Sequence, residues 1–201
     1  MNFIYKILLP CVLLLLSPIF TPALHAGNDV LGEVELVGAS KIENTSGVWI
    51  DGQYVGYLNE LKGSKRILLL PGDHEITVRQ GGYLDFVRKI SVRAGEKQSI
   101  DVKMEKDTTI VLPKVTAEIK LDVKPDRAAV FVDGVYVGHV AEFGGIGKAL
   151  LVAPGKHVVE MTLPGYNTFE TDIVLVANQK STVKTEMSKG GRAEGTPLPQ
   201  Q

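Results

Sequence analysis

Cysteine, tryptophan and histidine are scarce in this chain, and each shortage excludes a chemistry. Its 201 residues hold one cysteine, Cys11, one tryptophan, Trp49, and four histidines. A lone thiol closes no disulfide within the chain, and cysteine-based metal sites are excluded. An excess of one charge is missing too, since 22 Lys and Arg stand against 23 Asp and Glu. So even a balance leaves no basic face to displace counterions from phosphates, and nucleic acid is not an expected partner. No amphipathic helical pattern stands out; Asn59 to Ser64 allows one turn at most. What remains is ordinary globular composition, 44% hydrophobic and 22% charged.

Residues 1–26 read as an export signal. Lys6 supplies the positive start, Ile7 to Phe20 is an apolar run, and Thr21 to Ala26 breaks it and ends on a small residue. The run falls short of the roughly 20 apolar residues a membrane-spanning helix needs, and Pro10 and Pro18 interrupt it. Cleavage after Ala26 would remove Cys11, which sits too early for a lipoprotein cysteine. The mature chain is then expected to be thiol-free, mildly acidic, without a membrane span, and periplasmic or secreted. An exported domain of this size without disulfides points to a bacterial source. An uncleaved N-terminal anchor is the alternative.

The most informative feature is a duplication. Val48 to Gly56 (VWIDGQYVG) returns as Val130 to Gly138 (VFVDGVYVG), and Leu68 to Val78 (LLLPGDHEITV) as Leu151 to Met161 (LVAPGKHVVEM). Gly82 to Phe86 (GYLDF) returns as Gly165 to Phe169 (GYNTF). The order is kept, with a slip of one residue in the loop after Gly138.

Each repeat reads as a string of short strands. Val34 and Leu36 alternate with Glu33 and Glu35, as Ala117, Ile119, Leu121 and Val123 alternate with Glu118, Lys120 and Asp122. Period two with one polar face marks a strand half buried on a core. The turns are equally legible: Asp51-Gly52 with Asp133-Gly134, Pro71-Gly72 with Pro154-Gly155, and the glycines Gly56 and Gly138. Asp-Gly between apolar runs favours a tight hairpin, because both central residues take positive φ. About seven strands with turns every 8–12 residues is the pattern of a β-sandwich. The expected fold is all-β: two tandem small antiparallel sandwiches at 27–104 and 117–188. A linker over 105–116 is apolar enough to extend a strand or pack between the modules, and a disordered tail follows over 189–201.

Pro125-Asp126-Arg127-Ala128, Val132-Asp133-Gly134, Gly138, Pro154-Gly155-Lys156-His157 and Gly165-Tyr166 together resemble the PEGA-domain family. The resemblance implies small exported or cell-surface sandwich modules of the transthyretin-like kind, often in tandem, with no known catalytic residues. It covers nearly all of the chain from the leader to Met187. The first repeat departs from the naming motif, carrying Glu43-Asn44-Thr45-Ser46 there, and both lack the Thr-Pro that many members place after Gly56 or Gly138.

The remaining candidates favour structure over chemistry. His74 and His157, two residues past Pro-Gly, share a face with Ile76 and Val159 and lack companions at metal-ligand spacing, so no metal, cofactor or catalytic residue is expected. Trp49 answers to Phe131, which reads as core packing. Asp51 and Asp133 are explained by their turns; the repeated Glu60 and Glu142 are less easily explained. Gly144 to Lys148 lacks the earlier glycine, the Ser/Thr and the following helix of a phosphate loop. The chain is therefore expected to be a non-catalytic exported binding or scaffold protein of the cell envelope. If its partner is envelope polysaccharide, exposed aromatics are expected among Tyr54, Tyr57, Tyr83, Tyr136 and Tyr166. The alternative is an adaptor for an envelope protein, and more remotely a hydrolase with carboxylates converging between the repeats. The expected contact loops run from Tyr57 through Lys62, Lys65 and Arg66, and from His139 to Lys148.

Overall fold

The computed structural model describes residues 30–190 apart from Leu112. The leader with its cleavage site, and the tail beyond Gly190, lie outside the described residues. Lys189 and Gly190, expected in the tail, are held: Lys189 bridges Tyr166, and the Gly190 amide donates to the Gly165 carbonyl at 2.9 Å.

The first module runs β1 (Gly32–Gly38), α1 (Lys41–Thr45), β2 (Gly47–Ile50), β3 (Gln53–Tyr57), β4 (Ile67–Leu69), β5 (Gly72–Arg79), β6 (Phe86–Val92) and β7 (Lys97–Val102). The second repeats the plan with β8 (Ala117–Lys124), β9 (Ala129–Val132), β10 (Val135–His139), α2 (Val140–Phe143), β11 (Leu150–Val152), β12 (Gly155–Thr162), β13 (Phe169–Leu175) and β14 (Lys180–Glu186). Each module stacks a three-stranded sheet, β4-β1-β7 or β11-β8-β14, on a four-stranded one, β3-β2-β5-β6 or β10-β9-β12-β13. Val34 and Leu36 of β1 meet Val48, Ile76 and Val78 of the facing sheet, all of them buried. Burial of each such side chain contributes about 1.5–3 kcal/mol.

The pairing is not wholly antiparallel. The first and last strands of each module, β1 with β7 and β8 with β14, lie parallel. A whole module joins them, so no tight turn imposes the antiparallel sense. The Asp-Gly hairpins form as expected, with φ of 51° and 80° at Asp51 and Gly52 and of 53° and 78° at Asp133 and Gly134.

Two short helices were not expected. Helix α1 starts at a capping box, in which the Ser40 hydroxyl accepts from the Ile42 amide while the Glu43 carboxylate accepts from the Ser40 amide and hydroxyl. Glu43 also accepts from the Met104 amide at 3.2 Å, tying the helix to the end of β7, and these bonds hold its carboxyl below the usual range. The linker departs from expectation as well. Ile110, Val111 and Val115 are exposed, and apart from the Lys106 bridge to Tyr83 the described linker joins no strand. The space between the modules is already filled from the sheets.

That filling comes from the outer face of β2. Val48 and Ile50 point into their own core, so period two turns Trp49 outward, where the second module covers it. Trp49 meets Tyr136 edge-on at 4.8 Å between ring centroids, and Tyr57 stacks on His139 at 4.1 Å. Tyr54 donates to the Arg127 carbonyl at 3.0 Å. Tyr57 and His139 are equivalent positions of the two repeats, as are Tyr54 and Tyr136, and Trp49 and Phe131. On one side Gly81 backs onto Val137; on the other the counterparts of Gln80 and Gly81, Leu163 and Pro164, line a groove with Gln53 and Tyr54. Like faces therefore meet, and the modules pair as the halves of a two-fold dimer do.

Candidate functional site

The loop after β3 shapes one flank of the first module. Gly56 has φ of 142°, and a Cβ there would lie 2.1 Å from a Glu60 carboxylate oxygen, so the Glu60 side chain folds back over this glycine. Glu142 folds over Gly138 in the same way. This explains why the two glutamates recur in place. Glu60 pairs with Arg127 of the second module at 2.9 Å and with Lys65 at 3.4 Å. Glu142 accepts from the His139 backbone amide at 3.1 Å and from Gln80 of the first module at 3.1 Å. Both carboxylates thus reach the junction, each already engaged by partners there.

Between the edge strands β3 and β4 lies a cleft of about 470 Å³. Val55, Leu61, Ile67 and Leu69 give it apolar walls; Lys65, Arg66 and Arg127 bring cations to it. Strand β4 pairs with β1 on one side only, and Leu68 and Leu70 stand exposed along it. Lys65 and Arg66 are more than half exposed in their ion pairs with Glu60 and Glu33. The Arg66 pair with the part-exposed Glu33 contributes about 0–1 kcal/mol and can be re-paired at little cost, and Glu60 keeps Arg127 at 2.9 Å when Lys65 turns away. In the second module β11 is the matching edge, with Leu151 exposed and Lys148 just before it.

The expected contact residues therefore divide. Lys62, Lys65, Arg66 and Lys148 are exposed. His139 is buried and Tyr57 half-buried, because their rings stack on each other at the junction. The aromatic platform expected for a glycan is not formed. Tyr54 and Tyr136 are buried by the opposite module, and Tyr57, Tyr83 and Tyr166 are half-buried. Trp49 is buried as expected, but at the junction and not in its own module's core.

Each expected turn histidine is a clasp. His74 contacts the Asp51 carboxylate through Nδ1 at 2.7 Å and the Leu70 carbonyl through Nε2 at 2.9 Å. His157 repeats this with Asp133 at 2.7 Å and the Ala153 carbonyl at 2.8 Å. The other oxygen of Asp51 accepts from the Glu75 amide, and that of Asp133 from the Val158 amide, so these side chains serve a neighbouring strand and not their own turn. Both ring nitrogens face acceptors, which only a doubly protonated imidazole satisfies. The bonds to the carboxylate and the carbonyl accordingly raise both histidines above their ordinary value. The strand amide and the imidazole in turn lower Asp51 and Asp133. Since Asp51 sits on the β2–β3 turn and Leu70 just past β4, the clasp joins the two sheets at one end of the cleft. Among the described residues no group of three or more His, Cys, Asp and Glu could hold a metal, and no helix is long and apolar enough to cross a membrane.

Comparison with protein-family models matches the PEGA domain twice, over residues 40–108 and 116–190. The chain belongs to the PEGA-domain family. No curated protein matches it. Among solved structures it is similar to the Bacillus anthracis TIE protein, at 16% identity and a TM-score of 0.26, over 79% of this chain and 34% of that one. The chain spans about a third of that structure's length, and a likeness of this degree says nothing about function. The first PEGA match begins at Ser40, the cap of α1, and β1 lies before it. Both PEGA domains contain their Asp-Gly turn, Pro-Gly turn and histidine clasp.

Capping and outward packing were the features missed from sequence. Ser40-Lys41-Ile42-Glu43 is a capping-box pattern in plain view. The outward direction of Trp49 follows from its alternation with Val48 and Ile50. No sequence signal identified Arg127 as the residue that crosses to Glu60 and donates to the Val55 carbonyl at 3.1 Å.

Proposed function

We propose that this tandem PEGA protein is a non-catalytic binding protein of the bacterial cell envelope, exported by its leader, which holds an extended segment of a partner protein along the β4 flank of its first domain. One observation carries the reading: an edge strand without an outer neighbour borders an apolar cleft whose rim bears Lys65, Arg66 and Arg127. A segment added there would find main-chain partners along β4, apolar contacts at Leu68 and Leu70, and cations for an acidic side chain. The burial of the tyrosines favours a protein over a polysaccharide, which needs open aromatic faces for stacking. The engagement of Glu60 and Glu142 by Arg127, Lys65, His139 and Gln80 favours binding over hydrolysis, and no cofactor enters the reading.

The test is cross-linking in cells from a photoreactive residue at Leu68, with Val87 on the far strand β6 as the control position. A discrete adduct from position 68, lost in the Lys65→Glu/Arg66→Glu variant, is the expected result. Cross-linking equal from both positions, or unaffected by the charge reversal, sinks the flank as the site. Co-sedimentation with envelope polysaccharide that survives moderate salt would return the glycan reading to first place.

A further inference from the structure

A face that binds its own equivalent is self-complementary, and the junction is such a face. Its contacts pair Tyr57 with its counterpart His139 and set Trp49 against Tyr136, the counterpart of Tyr54. We infer that two copies of this chain exchange modules, the first domain of each docking on the second domain of the other to close a two-fold dimer. Each chain carries one face of each kind, so the exchange leaves none uncovered and stops at two chains.

Two further observations fit exchange. Among the described residues of the connection from Glu105 to Thr116, Ile110, Val111 and Val115 already face solvent, and its backbone bonds are confined to its two ends, at Gly82, Leu84 and Asn178. Straightening it therefore breaks few contacts, and a segment of that length reaches about 40 Å when extended. The junction is also less completely satisfied than the module cores. Gln80 Oε1 and Arg127 Nε are buried there without a protein hydrogen-bond partner, which weakens the junction relative to a fully paired interface. The aromatic cluster nevertheless opposes simple separation, since Trp49 and Tyr54 belong to the buried cluster of the second module. The face demands a cover, and a second copy supplies the same one.

Removing residues 107–113 from the full chain tests this, because a connection so shortened leaves less chain with which to fold back on its own partner domain and favours exchange. The expected product has twice the mass of the parent by light scattering, with the emission of Trp49 unchanged because its surroundings are rebuilt. Adding Tyr136→Arg to the shortened chain is expected to abolish the dimer. The intact chain, concentrated and taken through mild urea, is expected to yield a dimer fraction that persists on dilution. A shortened chain that stays monomeric overturns the inference, as does a dimer indifferent to Tyr136→Arg. An intact chain that returns only monomer overturns it independently of how the shortened variant folds.

Discussion

Replacing both clasp histidines, His74→Gln with His157→Gln, should remove a pH dependence that the native chain possesses. Each imidazole bridges a carboxylate and a carbonyl, at 2.7 and 2.9 Å for His74 and at 2.7 and 2.8 Å for His157. Hydrogen bonds to charged groups contribute about 1.5–3 kcal/mol. The Asp51 and Asp133 side chains are about half exposed, however, which moves the pair toward the 0–1 kcal/mol of a solvated ion pair. About 1 kcal/mol per clasp, or about 2 kcal/mol for both, is the reasonable scale. Its sign follows from linkage. The folded histidines titrate above their ordinary 6.5, so their contribution is complete below that pH and is lost as pH rises through the folded value. The aspartates titrate below their ordinary 3.8, so their share is present above it and is lost as pH falls through the folded value. The clasps are therefore strongest between about pH 4 and 6.5, and weaken on the alkaline side. Urea unfolding followed by far-ultraviolet circular dichroism reads this directly. With a slope of about 2 kcal/mol per molar urea, the native midpoint should exceed that of the double variant by about 1 M at pH 6, and by less at pH 9. Equal pH slopes for the two proteins would refute the reasoning. So would imidazole resonances of His74 and His157 that titrate at or below the free value.

Three other substitutions probe the local geometry. Gly56→Ala should cost about 2–3 kcal/mol, because the new Cβ must displace Glu60 from Arg127 besides occupying positive φ. Gly72→Ala, with nearly the same φ of 143° but open space around it, should cost about 1 kcal/mol for conformation alone; equal costs in urea unfolding would discount the Glu60 contact. Glu43→Gln removes a charged acceptor from the Ser40 amide and hydroxyl and from the Met104 amide, and should destabilise by about 1–2 kcal/mol at neutral pH. Because this carboxyl titrates below its ordinary 4.5, the difference should close as pH falls through the folded value, and a difference constant down to pH 2 would argue against it.

The repeat, the strands and the turns were legible because each rests on a local rule. Alternation at Val34 and Leu36, positive φ at Asp51-Gly52 and the return of whole motifs need no knowledge of distant residues. The parallel pairing of β1 with β7 was not legible, since a strand's pattern records which face is buried and not the direction of its neighbour. Of the expected contact residues, Lys62, Lys65 and Arg66 are charged and exposed, as their composition implies. Tyr57 and His139 are covered, because burial there depends on a second domain docking on the first. The same cause hid the tyrosines: nothing in Tyr54 or Tyr136 says that an equivalent surface will cover it. The histidine clasp lay between these cases. The turn carbonyl was foreseeable from Pro-Gly-x-His, while the carboxylate arrives from a hairpin more than twenty residues earlier.

The parallel terminal strands bear on mechanics. The ladder between β1 and β7 runs from Glu33 opposite Lys97 to Gly38 opposite Val102, and that between β8 and β14 from Glu118 opposite Lys180 to Lys124 opposite Glu186. Each domain is therefore held by its neighbours in the chain at opposite ends of one shared ladder. Tension along the polypeptide acts parallel to those strands, so it loads the cross-strand bonds together in shear and does not peel them apart one after another.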